Sequence, residues 1–235
     1  MIIEGAISVK AAIESGKRDI EKVYLRNDKH TKDFSYITRL CVKNNIPVEK
    51  TDNATIMEMS TGKSAGGVLA VVSERKTDEF EDGDIFYLNG IEDPFNLGYS
   101  MRTLYAFGVK NVLLSKRDYS SMDYQLLKSS AGAYDKLNVM VADDEIALLK
   151  IFKKAGYNLY GLYRGEGSTD VFDTEFKDNS LFILGGEKRG ISSDILNLCD
   201  NYLYISYGSD FRNALNACAA LDVVATLLYR QRKNK

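Results

Sequence analysis

The sequence predicts a parallel α/β sheet with helices on both faces, preceded by a smaller α/β domain. Three observations carry this. From residue 85 onward, short apolar runs at 85–88, 111–114, 137–141, 157–163, 181–185 and 202–205 read as strands, and segments of helical spacing fall between or after them. Residues 1–75 show a separate alternation of short helices and strands. Between the two lies ERKTDEFEDGD, polar and turn-forming at its end, which reads as a linker. The expected division is therefore 1–75, a linker at 76–84, and 85–235.

In the first domain, residues 6–14 form a helix that Gly16 ends, and 20–25 carry the β-branched and aromatic residues of a strand. Phe34, Ile37, Leu40 and Cys41 recur at helical spacing. Val48 follows Pro47 in an extended piece, 54–59 is a second short helix, and 68–73 is a buried strand. In the second domain the helices are expected at 97–107, 124–130, 144–155, 193–199 and 213–231.

Composition narrows the function classes. A chain of 235 residues can bury a full core as one or two domains. No apolar run reaches the length of a membrane span, residues 1–5 lack the pattern of a secretory signal, and the expected location is the cytoplasm. The net charge of −2 argues against an indiscriminate nucleic-acid binder, because such affinity comes from many phosphate contacts. Lys17, Arg18, Lys22, Arg26, Lys29 and Lys32 nevertheless gather near the amino terminus, as a local basic face or simply a solvated surface. Cys41, Cys199 and Cys218 sit in apolar patterns without CxxC spacing and read as reduced core residues. No His/Cys cluster implies a metal, and the sole histidine, His30, has no catalytic neighbour in the sequence.

Three strand-to-helix junctions carry chemistry. In DPFNLGYSMRTLYAFGV, Pro94 stops a strand, Asn96 and Gly98 fall at a helix N-cap and first turn, and Leu97, Met101 and Leu104 supply an apolar stripe. Arg102 is expected to point with Asn96 toward the helix's positive end, either as an anion or ribose site or as an ordinary surface arginine. In LFILGGEKRGIS, a strand runs into glycines. In ISYGSDFRNALNACAA, a short strand and Gly208 lead through a polar turn into a small-residue helix. In a parallel sheet such junctions converge on the carboxyl edge, where ligands bind.

Together these stretches resemble the SpoU or TrmH-type RNA ribose 2′-O-methyltransferases of the SPOUT superfamily. Asn96, Gly98, Arg102, Thr103, Phe107 and Gly108 match the first family motif. Leu184, Gly185, Glu187, Gly190, Ile191 and Ser192 match the second, and Ile205, Gly208, Leu215 and Asn216 match the third in part. SSAGAYDKLNV and the opening residues 3–12 resemble further family elements, so the likeness covers nearly the whole chain.

The resemblance implies an amino-terminal ribosomal-protein-like (L30e-like) RNA-binding domain and a SPOUT domain with a carboxyl-terminal trefoil knot, an exception to unknotted topology. It implies a homodimer built around the motif helices. The last helix, with Ala217, Ala219, Ala220, Val223, Val224 and Leu227, has the apolar face for such packing or for the chain's own core. It implies S-adenosylmethionine as donor, held by Leu184, Gly185, Gly186, Gly190, Ile205, Gly208, Ala214 and Leu215, with glycines admitting close backbone approach. It implies rRNA or tRNA as acceptor, with Arg102, Asn96, Glu187 and Asn216 as the catalytic set. Arg102 suits orienting and charge stabilisation rather than general base catalysis, because a guanidinium keeps its proton. Asn96 and Asn216 would fix the ribose and Arg102, and Glu187 would pair with Arg102 or cap its helix.

The chain departs from the family in places. Ser64 and Ala65 stand where a His-Gln pair is common, Ser206 replaces a proline, Ala214 replaces a serine, and the Gly208-to-Asn216 turn is longer. Ser209, Asp210, Arg212 and Asn213 occupy that turn and are candidates to replace the lost hydroxyl. The competing expectation is a non-catalytic RNA-binding or assembly protein with a degenerate donor site. The basic tail Arg230, Arg232, Lys233 and Lys235 reads as a solvated helix end.

Overall fold

The computed structural model describes residues 1–60, 66–186 and 189–234, which form two compact units. Unit 1 comprises Met1–Thr77 and Tyr119–Lys136; unit 2 comprises Asp78–Asp118 and Leu137–Lys235. Ser64, Ala65, Glu187 and Lys235 lie outside the described residues.

Unit 1 opens with β1 (Ile2–Glu4), α1 (Ala6–Ser15), β2 (Ile20–Arg26), α2 (Lys32–Lys43), β3 (Val48–Thr51), α3 (Asn53–Met59) and β4 (Val68–Val72). Its sheet runs β1-β4-β2-β3, with β4 antiparallel to both neighbours and β2 parallel to β3. Gly16 takes the left-handed conformation that stops α1, at φ 66. The Thr31 side chain accepts from the Phe34 amide to start α2, which buries Phe34, Ile37 and Cys41 as their spacing requires. Strand β1 is not evident in the sequence: three residues carry too little pattern, and pairing with β4 makes the strand.

Unit 2 continues with β5 (Ile85–Asn89), α4 (Pro94–Ala106) and β6 (Asn111–Ser115). The chain then supplies α5 (Asp123–Ser129) and α6 (Ala133–Lys136) to unit 1. It returns with β7 (Asn138–Ala142), α7 (Glu145–Lys154), β8 (Asn158–Leu162), β9 (Thr169–Asp170), β10 (Ser180–Gly185), α8 (Ser193–Leu196), β11 (Asn201–Tyr204) and α9 (Ala217–Lys233). The sheet order is β7-β6-β5-β10-β8-β11-β9, and every pairing is parallel. Central strands β5 and β10 are buried nearly throughout, as an apolar run without alternation demands. Phe86, Tyr160, Phe176 and Phe182 pack ring against ring beside them. The last helix starts at Ala217 rather than at 213, so the third junction stays a loop.

Residues 119–136, expected in the second domain, belong to unit 1. The cause is electrostatic. The buried Arg18 guanidinium makes paired contacts of 2.6 and 2.7 Å to Asp123, and others of 2.8 and 2.9 Å to Asp135. The Arg18 and Asp135 side chains are fully covered. Burial alone would lower Arg18, but both carboxylates raise it above its ordinary value and it stays charged. Arg18 is therefore no part of a basic surface.

Removing one partner of a buried ion cluster strands the others' charge. Arg18→Ala should destabilise the protein by about 3–5 kcal/mol in denaturant titration. A loss within the range of an exposed pair would show the cluster to be incidental.

Candidate functional site

In the unit 2 sheet, β6 and β7 extend to one side of the β5–β10 pair and β8, β11 and β9 to the other. Such a reversal opens a crevice at the strands' carboxyl ends. A cleft of about 1130 Å³ lies there, bordered by Asn89, Ser115, Ala142 and Gly186 at the exits of β5, β6, β7 and β10.

At the first junction the cap is Asp93, whose carboxylate accepts from the Asn96 amide at 2.8 Å, with Pro94 in the first helical turn. Asn96 is thus inside the helix rather than its cap. It is half-buried and lines the cleft. Arg102 does not join it there. Six residues along a helix leave two side chains about a third of a turn apart, so the expectation of one shared opening fails. Arg102 is exposed, without a hydrogen bond or ion pair to the described residues, on a helix that also exposes Phe95, Tyr99 and Tyr105.

At the second junction two backbone segments meet where no side chain fits. A Cβ on Gly185 would lie 2.3 Å from the Gly190 carbonyl carbon, and one on Gly186 would lie 2.2 Å from the Gly90 carbonyl oxygen. The Gly190 amide closes the turn onto the Gly186 carbonyl at 2.9 Å, with Gly190 at φ 63. Leu184 is buried in β10. Gly190 and Arg189 line the cleft, and Glu187 is outside the described residues.

The third junction is held by groups that motif matching does not reveal. Arg164 donates to the Ile205 carbonyl at 2.9 Å and lies 4.6 Å from the centre of the Tyr207 ring. The Tyr207 hydroxyl accepts from the Leu215 amide at 3.2 Å, next in the chain to Ala214. Ser206 hydrogen-bonds Asp170: burial pushes that carboxyl up, but the Ser206 and Phe172 bonds outweigh it and hold it below its ordinary value. Ala214 and Gly208 are exposed, and a Cβ on Gly208 would meet nothing within 4 Å. Asn216 caps α9 by accepting from the Ala219 amide at 2.9 Å. Cys218, the second residue of α9, donates to the Asn96 carbonyl at 3.3 Å, so the first and third junctions adjoin.

One cluster at the cleft escaped sequence reasoning altogether. The buried Tyr87 hydroxyl donates to the Glu145 carboxylate, and the Asn89 amide nitrogen reaches Tyr87, Glu145 and Ser115 at 2.8, 3.1 and 3.2 Å. Tyr87 and Asn89 share one face of β5, and Ser115 and Glu145 stand at the next two strand-to-helix exits. That placement was the available signal. Among the described residues, no group of three or more His, Cys, Asp or Glu side chains is arranged to hold a metal.

A parallel sheet with its cleft at the switch point and glycine-tight turns on its carboxyl edge defines an α/β protein built to bind a nucleotide-like ligand. The SpoU rRNA Methylase family model matches residues 84–226, and the model for RNA 2′-O ribose methyltransferase substrate binding matches residues 2–77. This chain belongs to the SpoU rRNA methylase family. It is 27% identical to a protein of Staphylococcus saprophyticus named as a TrmH family tRNA/rRNA methyltransferase, over 99% of this chain and 96% of that one. In structure it is similar to an RNA methyltransferase of the TrmH family from Porphyromonas gingivalis, with TM-score 0.82, 18% identity, and coverage of 100% and 90%. It is also similar to the SpoU methyltransferase AviRb of Streptomyces viridochromogenes in complex with AdoMet, with TM-score 0.78, 20% identity, and coverage of 100% and 91%.

The two kinds of glycine should separate on substitution. Gly186→Ala should lose about 1–3 kcal/mol in urea unfolding through overpacking, whereas Gly208→Ala should stay within about 0.5 kcal/mol of the parent. Equal effects would refute the close-approach account.

Proposed function

We propose that this chain transfers a methyl group from S-adenosylmethionine to a ribose 2′-hydroxyl of rRNA or tRNA. The observation that carries the reading is the convergence of the β10 glycine turn, Asn96 and the Asn216-capped α9 at one sheet edge. Family membership supplies the reaction, and the AdoMet complex of AviRb supports the donor.

The residues fit the donor. Gly190 and Gly208 have open space where a side chain would stand, room that a bound ligand can use. Bound there, the sulfonium group supplies an electrophilic methyl. This chain's contribution is positioning, by the Gly185, Gly186 and Gly190 turn and by Ile205, Gly208, Ala214 and Leu215. Asn96 and Asn216 hold the ribose and Arg102, and Glu187 of the second motif is read as the partner of Arg102. Arg102 orients a phosphate and stabilises the developing oxyanion.

Arg102 reaches this site in a homodimer. Its support is the apolar surface around it: Phe95 and Tyr99 are each about half exposed, four residues apart, on the face that also carries Arg102. The carboxyl-terminal segment is read as the trefoil knot of the family, supported by the return of α9 to pack along α4 and β10. In unit 1, a hollow of about 340 Å³ bordered by Arg26, Lys29, Arg39, Lys50 and Phe34 supports an RNA-facing surface. The three free cysteines suit a reducing compartment such as the cytoplasm.

A second reading has an observation of its own. The Leu215 amide and Ile205 carbonyl, which the donor would use, are both engaged within the chain, as expected of an RNA-binding assembly protein that keeps the fold. Calorimetric titration with S-adenosylmethionine decides between them. Micromolar binding, about −8 kcal/mol, is expected, and absence of binding with and without RNA would favour the assembly protein. Arg102→Ala should abolish methyl transfer to RNA and leave donor binding unchanged; substantial residual activity would remove Arg102 from the catalytic set. Tyr99→Glu should convert a dimer to a monomer in sedimentation velocity, and an unchanged sedimentation coefficient would place the interface elsewhere.

A further inference from the structure

Tyr87, Asn89, Ser115 and Glu145 have no part in the roles above, yet their hydrogen bonds run in one direction. Glu145 stands in the first turn of α7, where the helix's positive end favours a carboxylate. The fully buried Tyr87 hydroxyl spends its single hydrogen on that carboxylate. Its oxygen can then only accept, so the Ser115 hydroxyl 3.2 Å away is the donor of that pair. With its hydrogen directed to Tyr87, Ser115 Oγ turns a lone pair to the Gly90 amide at 3.0 Å. The Asn89 amide nitrogen braces the series from the side, at 2.8 Å from Tyr87, 3.2 Å from Ser115 and 3.1 Å from Glu145. Burial and the Glu145 carboxylate both push the Tyr87 phenol up, so it keeps the proton that this order needs.

The series ends where the first junction begins. Gly90 takes φ 69, and its carbonyl oxygen is the atom that a Cβ on Gly186 would strike. Arg117, just past β6, holds the Glu92 carbonyl at 2.9 Å, and Asp93 then caps α4 on the Asn96 amide. We propose that Glu145 is a positioning residue for methyl transfer: through Tyr87 and Ser115 it fixes Gly90, and so sets Asn96 against the glycine turn of β10. The inference rests on the methyltransferase reading and adds to it a residue that acts only through others. Hydrogen bonds in series polarise one another in a buried setting, so a carboxylate at one end strengthens the hold on the amide at the other. A misplacement of about 1 Å at reacting groups costs about a hundredfold in rate, so a small release at Gly90 is felt in turnover.

The test uses the full chain, S-adenosylmethionine with a tritiated methyl group, and rRNA and tRNA from cells that lack this protein. Glu145→Ala, Tyr87→Phe and Ser115→Ala each cut one link, and each should lower turnover about tenfold while the KM for S-adenosylmethionine stays at the parent value. The Glu145→Ala and Tyr87→Phe changes combined should be no slower than either alone, because one cut already breaks the series. Ser115→Thr keeps the hydroxyl and should turn over at the parent rate. Amide hydrogen exchange across 89–97 should quicken about tenfold in the three variants and stay at parent values elsewhere, which also shows that they are folded. If Tyr87→Phe fails to fold, Glu145→Ala and Ser115→Ala, singly and combined, carry the same comparison. Additive losses, a KM that rises as turnover falls, or parent turnover despite quickened exchange would overturn the positioning role and leave the methyltransferase standing. A parent chain that neither binds S-adenosylmethionine nor methylates RNA removes that reading, and this inference with it.

Discussion

The carboxyl edge of the large sheet depends on a place where backbone meets backbone. Gly185 and Gly186 leave β10 with so little room that an added methyl would overlap the Gly190 or Gly90 main chain. Because of that contact the second junction folds back as a tight turn against the exit of β5, and the crevice between the two halves of the sheet has a fixed wall. Packed interiors transmit such constraints because they have few alternative arrangements. The neighbouring loops can then differ from the family pattern while the wall stays in place.

The third junction shows how that freedom is used. Two residues that carry family character are replaced, yet the turn is tied down by Arg164, Tyr207 and Asp170. These ties use a guanidinium on an aromatic face, a phenol on an amide and a hydroxyl on a carboxylate, none of which reproduces the missing groups atom for atom. A loop of this kind is specified by its total set of contacts, and an individual motif letter is a poor guide to whether its geometry survives.

What the sequence made legible follows from where the physics is local. Strands β5, β6 and β10 announced themselves because strands buried on both faces are apolar throughout, and the cap of α9 by Asn216 lies at the edge of a recognisable small-residue helix. The start of α4 was also local, since Asp93 followed by Pro94 is a start signal, but the motif asparagine drew the boundary to the wrong residue. The short strands β1 and β9 exist only through their partners. The union of Arg18 with Asp123 and Asp135 spans more than a hundred positions and leaves no periodic trace. At the candidate site the glycines were readable, because glycine has few other uses beside a strand end. The Arg102 direction was misjudged from helical geometry, and the Tyr87 cluster was missed because its four residues come from three separate junctions.

The two-part construction of unit 1 bears on how the protein is made. During synthesis residues 1–77 leave the ribosome long before Asp123 and Asp135, so the Arg18 guanidinium waits without its carboxylates while β5, α4 and β6 are being translated. The amino-terminal domain is consequently not a nascent-chain module that completes itself first. Its final locking belongs to a later moment of translation, when the chain between β6 and β7 has emerged, and the usual order of domain-by-domain folding is interleaved here.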